Sequence, residues 1–143
     1  GPQRLHRIDP VTGETTSVAP FGLPGGGIIA PPVVVPERGV AVAWDSINGG
    51  LAGVAIDGME TSWTLDIRPS MQPIVYPDSG ELVINDFADD GIDYLVVVDV
   101  DSGDVIDRVD TGSRIANGMF LSAGDDRDVY YCSTLTLARI HWT

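Results

Sequence analysis

Short apolar segments that end in Asp or His recur along this chain of 143 residues, and this repetition most constrains how the chain can fold. The segments stop at Asp9, Asp57, Asp101 and His141, at successive spacings of 48, 44 and 40 residues. They are rich in β-branched residues and show no helical period, so they predict strands. A period of about 40–50 residues, with about four strands per unit, is typical of a β-propeller blade. We therefore expect Asp9, Asp57 and Asp101 to lie beside the turn that joins the third and fourth strands of a blade, counted from the axis.

A second motif recurs in the same phase and marks the first strand of each blade. Its copies are Pro31–Gly39, Gln72–Gly80 and Asn117–Asp125, and each leads into another apolar segment. The phase predicts an all-β fold of about three four-stranded antiparallel blades. The predicted units are a partial blade over about 4–19, blades over about 31–66 and about 73–109, and a partial blade over about 118–142.

The number of blades raises the question of closure. Three blades cannot close a ring, since propellers have about four to eight of them. An open arc would leave apolar faces and strand edges exposed. We therefore expect the remaining blades to come from a longer chain, or from a second copy that completes a six-bladed ring. A two-sheet β-sandwich is the alternative fold.

The charge balance restricts the partners of the chain. It has 21 Asp and Glu residues against 8 basic residues, all of them Arg, and a net charge of −13. A field of this sign repels nucleic acid and anionic membrane surfaces, so we expect neither as a partner. The acidic surface suits a soluble protein that is secreted or comes from a high-salt organism, or one that binds divalent cations. Cys132 is the single cysteine, which excludes an intrachain disulfide and leaves the compartment open.

The stretch Asn117–Tyr131, followed by Leu137–Ile140, resembles a blade of a group of six-bladed propellers. This group contains gluconolactonase-like lactonases, paraoxonases and strictosidine synthases, and the shared features are an Asn-Gly pair, an acidic turn, an aromatic strand and an Arg-Ile strand. The resemblance implies that Asn117 is a ligand of a divalent cation on the propeller axis, and an amide oxygen suits Ca²⁺. The alternative from the residues alone is that Asn117, which precedes a glycine, is a turn residue in a left-handed conformation.

Other parts of the chain resemble generic quinoprotein-type repeats. These are the turns Asp9–Glu14 and Asp99–Asp104, and Trp63 follows a turn much as quinoprotein tryptophans do. Asp99–Asp104 and Ala88–Asp93 also carry closely spaced carboxylates. The first lacks the distal Glu of an EF-hand, and both are typical of solvated turns.

The resemblance to lactonases implies a small-molecule hydrolase or binding protein. Its ligand would lie on the propeller axis with Ca²⁺ or another divalent cation, which in a lactonase-like enzyme polarises a carbonyl or activates water. The alternatives are a non-catalytic propeller scaffold for protein binding or assembly, and a fragment of a quinoprotein-like enzyme. Fold alone does not decide among these functions, so the sequence leaves enzyme activity open.

If Asn117 is a calcium ligand, Ca²⁺ should raise the melting temperature of the protein. An ion that binds only the folded state stabilises it by about 2.7 kcal/mol at a hundred times its Kd. The Asn117→Ala variant should lose this rise in thermal scans with Ca²⁺ and with a chelator, whereas Asn48→Ala, the matched control, should keep it. An unchanged rise in Asn117→Ala would reduce Asn117 to a turn residue.

Overall fold

The computed structural model describes residues 1–27, 30–114 and 118–142, which form four antiparallel sheets and a short 3₁₀ helix at Pro36–Arg38. The first sheet has two strands, β1 (Leu5–Ile8) and β2 (Thr15–Val18). The second has four, which are β3 (Val33–Val35), β4 (Val40–Trp44), β5 (Leu51–Ala55) and β6 (Glu60–Leu65). The third sheet also has four strands, which are β7 (Ile74–Tyr76), β8 (Glu81–Phe87), β9 (Asp93–Asp99) and β10 (Val105–Asp110). The fourth has three, which are β11 (Gly118–Ala123), β12 (Asp128–Ser133) and β13 (Leu137–His141). Each sheet follows chain order, and the predicted all-β fold class is confirmed.

Neighbouring sheets pack face to face, and two apolar cores fill the spaces between them. One core lies between β3–β6 and β7–β10, where Trp44, Leu51 and Leu82 are fully buried. The second lies between β7–β10 and β11–β13, around Leu95 and Tyr131. The inner strands of the middle sheets are apolar on both faces because another sheet covers each side. Burial of one such side chain contributes about 1.5–3 kcal/mol to stability.

The turns that begin at Asp9 and Asp99 share the same hydrogen bonds. Each carboxylate accepts the backbone N–H groups two and three residues further on, at 2.7 and 3.1 Å for Asp9 and at 2.8 and 3.0 Å for Asp99. The N–H of Gly13 donates to the Asp9 carbonyl, and that of Gly103 donates to the Asp99 carbonyl, both at 2.8 Å. Both glycines adopt a positive φ, 76° and 79°, which the sharp turn requires. The two turns are therefore structural copies of one another.

The repeat correctly predicts where three acidic residues lie. Asp9 directly follows β1, Asp57 lies between β5 and β6, and Asp101 lies between β9 and β10. The hydrogen bonds nevertheless show that the structural counterpart of Asp9 is Asp99 rather than Asp101. The carboxylate that closes the β9–β10 turn is therefore Asp99, which stands two residues before Asp101, the residue that the spacing of the apolar segments selects.

Trp63 on β6 connects the two middle sheets. Its indole N–H donates to the carbonyl of Val100 at 2.9 Å. The ring lies over Gly53 of its own sheet and against Gly103 of the next sheet. A Cβ atom would stand 2.2 Å from the ring at Gly53 and 2.6 Å from it at Gly103, so only glycine permits this double contact.

The two-stranded sheet β1–β2 is the most exposed part of the fold, because most of its residues lie open to solvent. In the sheet β11–β13, Val129 and Tyr131 lie in the core, whereas Tyr130 lies on the other face and is exposed. No helix in the described ranges is long and apolar enough to cross a membrane.

Replacement of Gly103 by Ala should destabilise the protein more than replacement of Gly13 by Ala. Both changes put an L-residue at a positive φ, which costs about 1–2 kcal/mol. At Gly13 a new Cβ meets no atom within 4 Å, whereas at Gly103 it collides with the Trp63 ring. We expect a further loss of about 1–3 kcal/mol for Gly103→Ala, measured by urea unfolding. Equal losses in the two variants would mean that the Trp63 contact contributes nothing.

Candidate protein-interaction surface

The turns that follow β4, β8 and β12 lie at the same end of the sheets, termed the cleft end. A cleft of about 380 Å³ brings Asn48 of the β4–β5 turn close to Phe87 at the end of β8. Asp93, which begins β9, donates its N–H to the Ser113 carbonyl at 3.0 Å. The hydroxyl of Ser113 donates in turn to that of Ser133 at the end of β12, at 3.2 Å. These contacts place the three turns side by side.

Asp45 caps the β4–β5 turn and leaves Ile47 pointing away from the core. Its Oδ1 accepts the N–H groups of Gly27, Ile47 and Asn48 at 3.2, 2.9 and 2.9 Å, and Asn48 Nδ2 donates to Oδ2 at 3.1 Å. Burial is the largest influence and raises the pKa of Asp45, but the hydrogen bonds from Asn48, Gly27 and Ile47 together lower that pKa below its usual value. The buried carboxylate is therefore a stable anionic cap, while the side chain of Ile47 is 66% exposed.

The β12–β13 turn, two sheets away, is also capped by a side chain, although it is shorter and has fewer capping bonds. Ser133 Oγ accepts the N–H of Thr136 at 3.1 Å, and the N–H of Ser133 donates to the Thr136 carbonyl at 2.8 Å. Leu135 takes the place of Ile47 and is 83% exposed. A single exposed apolar residue is ordinary. Two of them at corresponding positions of capped turns form a pattern, and we refer to Ile47 and Leu135 as the apolar tips.

The surface between the apolar tips is acidic. Asp66 and Asp89 line the cleft with exposed side chains, and Asp90 follows in the same loop. Asp90 is held in place because its Oδ2 accepts the hydroxyl of Tyr94 at 2.8 Å. Arg68 also lines the cleft, so two exposed carboxylates, Asp66 and Asp89, line it together with one guanidinium.

Asp86 lines the same cleft, but its carboxylate is engaged within the protein. Its Oδ2 accepts Arg108 at 2.7 Å, and its Oδ1 accepts the backbone N–H of Arg68 at 2.9 Å. The Arg108 guanidinium lies 4.0 Å from the centre of the Tyr94 ring. Asp86 therefore fixes the strands that form the cleft.

A buried polar network joins β7–β10 to β11–β13. Asp93 accepts the hydroxyl of Tyr131 at 2.5 Å and the side-chain amide of Asn85 at 3.0 Å. Asn85 also accepts the N–H of Ser70 and donates to its hydroxyl, both at 2.9 Å. Burial raises the pKa of the Asp93 carboxyl above its usual value, although the hydrogen bonds from Tyr131 and Asn85 act in the opposite direction.

Arginine side chains connect the sheets at the opposite end, termed the arginine end. The contacts are Arg7 to the Ile56 carbonyl at 3.1 Å, Arg38 to the Asp101 carboxylate at 2.5 Å and Arg127 to the Glu81 carboxylate at 2.6 Å. Each of them crosses from one sheet to the next, although an exposed ion pair alone is worth little. Val11, in the β1–β2 turn at this end, is 91% exposed.

The predicted cation ligand, Asn117, lies outside the described residues, so the axial calcium site and its small-molecule ligand stay predictions. Among the residues that the structure describes, no three His, Cys, Asp or Glu side chains are grouped so that they could hold a metal ion. In Asp99–Asp104, Asp99 accepts backbone N–H groups and Asp104 accepts the Ser102 hydroxyl at 2.9 Å. These two carboxylates accept hydrogen bonds within the turn itself.

Sequence reasoning missed the apolar tips. The signal was present, because Asp45-Ser-Ile47-Asn and Ser133-Thr-Leu135-Thr share a capping side chain followed two residues later by an apolar one. Capping residues of this type are typical of Asx and Ser/Thr turns. A search for such pairs after each second strand would have found both positions.

No protein-family model matches the chain, and no curated protein matches its sequence. Among solved structures the chain is similar to the crystal structure of BamB from Moraxella catarrhalis, with a TM-score of 0.69 and 18% sequence identity. BamB is a β-propeller with quinoprotein-like repeats. The chain has a β-propeller fold. The match covers 96% of this chain and 39% of BamB, so the chain spans about two fifths of the length of that protein.

The similarity to BamB and the arrangement of the sheets distinguish a propeller from a sandwich, but they do not identify a particular group of propellers. Propeller blades are confirmed, and the two-sheet sandwich is wrong because the chain forms four sheets in series. A generic propeller with quinoprotein-like repeats is supported, whereas the narrower resemblance to lactonases, paraoxonases and strictosidine synthases is not confirmed. At 18% identity the similarity to BamB shows the fold alone.

Asp93 and Asp45 should make opposite contributions to the pH dependence of stability. Burial raises the folded-state pKa of Asp93, so its contribution is full below about pH 4, the usual pKa of Asp, and is lost as the pH rises through the folded-state value. Hydrogen bonds lower the pKa of Asp45. Its contribution is therefore present above about pH 4 and is lost as the pH falls through its folded-state value.

The measurement is urea unfolding of the wild type, Asp93→Asn and Asp45→Asn from about pH 3 to about pH 8. The stability of the wild type relative to Asp93→Asn should decline as the pH rises. Relative to Asp45→Asn it should decline as the pH falls, with neither slope above about 1.4 kcal/mol per pH unit. Slopes of the same sign would contradict the two assignments.

Proposed function

We propose that this chain is part of a non-catalytic β-propeller scaffold that binds protein at its cleft end. The observation that carries the proposal is the pair of apolar tips, Ile47 and Leu135, which stand at corresponding turns of two sheets. Exposed apolar side chains on rigid turns suit the anchors of a protein interface, because little ordering is needed when they bind.

The rigidity of the turns supports this function. Asp45 fixes its turn through three backbone N–H groups, and Ser133 fixes the other through Thr136. The Ser113–Ser133 hydrogen bond ties the second turn to the neighbouring sheet. The tips are thus held at a defined separation, with the sheet β7–β10 between them.

The charges of the cleft end indicate the chemistry of the partner. Asp66, Asp89 and Asp90 lie between the apolar tips, and the whole chain has a net charge of −13. A partner with a basic centre and two flanking apolar pockets would complement this surface. The opposite charges would also speed its association at low ionic strength.

A cation-dependent, lactonase-like hydrolase is the competing function. It rests on the resemblance of the stretch that begins at Asn117, and its test is the calcium dependence described above. The propeller fold is compatible with both functions, because propellers serve many.

Photo-crosslinking in cells of the native host tests the scaffold function. A photoreactive residue at position 47 or 135 should capture the same protein, because both tips contact one partner. The same residue at position 11, which is equally accessible at the arginine end, is the matched control and should not capture it. The added substitution Leu135→Asp should weaken capture from position 47 by about tenfold or more, since loss of an interface anchor costs about 2 kcal/mol.

Two results would contradict the scaffold function. One is capture of the same protein from position 11 as strongly as from positions 47 and 135. The other is capture of different proteins from the two tips, with no effect of Leu135→Asp on position 47. Circular dichroism of each variant should confirm that the sheets remain folded.

A further inference from the structure

The junction between β7–β10 and β11–β13 contains a buried carboxyl group without a cationic partner. Asp93 is fully buried, and its carboxylate accepts the Tyr131 hydroxyl and the Asn85 amide, which are both uncharged donors. Among the residues that the structure describes, no basic side chain forms an ion pair with Asp93. An ionised carboxylate in such a place is costly, because neither water nor an opposite charge compensates for its burial.

The charged groups on the elements around Asp93 do not favour its ionisation. Burial is the main cause that raises the pKa of Asp93, and the negative charge of Asp86 on β8 adds to this effect. Arg108 of β10 is bound to Asp86, and Arg114 is bound to Asp110 at 3.0 Å. The other side chains that contact Asp93 or its two partners carry hydroxyl groups, namely Ser70, Thr111 and Ser113.

Asp93 is also connected to the turn that carries the second apolar tip. Its backbone N–H donates to the Ser113 carbonyl at 3.0 Å, and the Ser113 hydroxyl donates to that of Ser133 at 3.2 Å. Ser133 caps the turn, because its Oγ accepts the N–H of Thr136 at 3.1 Å. Tyr131 stands two residues before Ser133 on β12. The end of β12 is therefore attached to Asp93 through both the side chain and the backbone of that residue.

The first apolar tip, Ile47, has a different acid behind it. Three backbone N–H groups donate to Asp45 at 2.9–3.2 Å. Burial raises the pKa of Asp45, but these bonds and the Asn48 amide together lower it below its usual value. Asp45 therefore stays ionised over the pH range in which Asp93 loses its proton, and its turn should not respond to that change.

From these contacts we infer that the junction is a pH-responsive device: a proton on Asp93 keeps the junction closed, and loss of the proton loosens the end of β12 and the turn of Leu135. A protonated Asp93 donates its O–H to the Tyr131 oxygen, while its other oxygen still accepts the Asn85 amide. Every group of the network then stays paired, and no charge is buried. An ionised Asp93 is instead stabilised when the junction opens and water reaches it.

The proton stabilises the closed junction rather than the open one. In the open junction the hydrated carboxyl has the ordinary Asp pKa of about 3.9, whereas burial raises the pKa of Asp93 in the closed junction. The advantage of the closed junction is therefore complete below about pH 4 and is lost as the pH rises through the closed-state value. In this window the equilibrium constant for opening should rise by up to about tenfold per pH unit, because one proton is released.

The device regulates the scaffold function proposed above, and it rests on that function for its effect on a partner. While Asp93 holds its proton, Leu135 stays at a fixed distance from Ile47 and a partner meets both apolar tips. When Asp93 is ionised, Ile47 keeps its place but Leu135 does not. The partner is therefore bound more tightly when Asp93 is protonated.

Amide hydrogen exchange, measured by NMR from about pH 4 to about pH 8 and corrected for the intrinsic rate at each pH, tests the device without a partner. Protection of the Ser133 and Thr136 amides should fall at least about tenfold as the pH rises. Protection of the Asn48 amide, which donates to Asp45, should not fall with them. A fall of equal size at Asn48 would show that the whole protein unfolds and would overturn the inference.

The Asp93→Asn variant should remove this pH dependence. Its side-chain oxygen can accept the Asn85 amide and its NH₂ group can donate to Tyr131, so it mimics the protonated acid but cannot ionise. Protection of the Thr136 amide should then stay high at every pH. The matched control Asp45→Asn, which replaces the other buried acid, should keep the fall at Thr136. Persistence of the fall in Asp93→Asn, or its loss in Asp45→Asn, would assign it to another group.

A second measurement in the wild type decides the matter if Asp93→Asn does not fold. The ¹³C shift of the Asp93 carboxyl gives the midpoint of its ionisation, and the protection of Thr136 should fall through the same midpoint. Two different midpoints, or a Thr136 profile that does not change with pH, would overturn the inference. Failure of the scaffold function is recognised separately, because it leaves these profiles unchanged and appears as the lack of a common captured protein in the crosslinking experiment.

Discussion

Each sheet of this protein has two faces, and the need to cover both of them governs the whole structure. The middle sheets β3–β6 and β7–β10 share one apolar core, and β7–β10 and β11–β13 share another. Trp63 strengthens the first junction by filling the space between Gly53 and Gly103, while its indole N–H reaches the Val100 carbonyl. A sheet in such a series is stable because its neighbours remove its apolar faces from water.

The strands were predictable because the residue type at each strand position reflects whether that position is buried or exposed. Runs such as Val40–Trp44 are apolar throughout since both faces are buried, and Asp and Gly at the turns supply the required hydrogen bonds and positive φ. Contacts between distant strands produce no such pattern in the nearby sequence. Tyr131 and Asp93 are 38 residues apart, and nothing near either one indicates their hydrogen bond. The pairing of Asp101 with Asp9 has a different cause, because the apolar segment that the spacing follows ends at Val100, although Asp99 holds the equivalent turn.

Two of the buried carboxylates, Asp45 and Asp93, show that environment rather than residue type sets the role of an acid. Asp45 accepts three backbone N–H groups, which offset the cost of burying its charge and give a permanent cap for the β4–β5 turn. Among the residues that the structure describes, Asp93 has the Tyr131 hydroxyl and the Asn85 amide as its side-chain donors, and burial outweighs them and raises its pKa. A carboxylate whose pKa is lowered by hydrogen bonds thus holds the turn that displays Ile47. The acid that is easier to protonate lies instead in the junction between two sheets.

The two ends of the sheets differ in what their turns do, and this difference supports the assignment of function. At the arginine end, Arg38 and Arg127 reach across to the neighbouring sheet, so their two turns are engaged with the protein itself, whereas the β1–β2 turn is capped by Asp9 and exposes Val11. At the cleft end, the capping groups satisfy the backbone inside each turn and leave Ile47 and Leu135 free to meet another molecule. A turn that closes its own hydrogen bonds can change its exposed residue at little cost to the fold. Under the proposed function, binding specificity would change at the cleft end while the cores preserve the propeller.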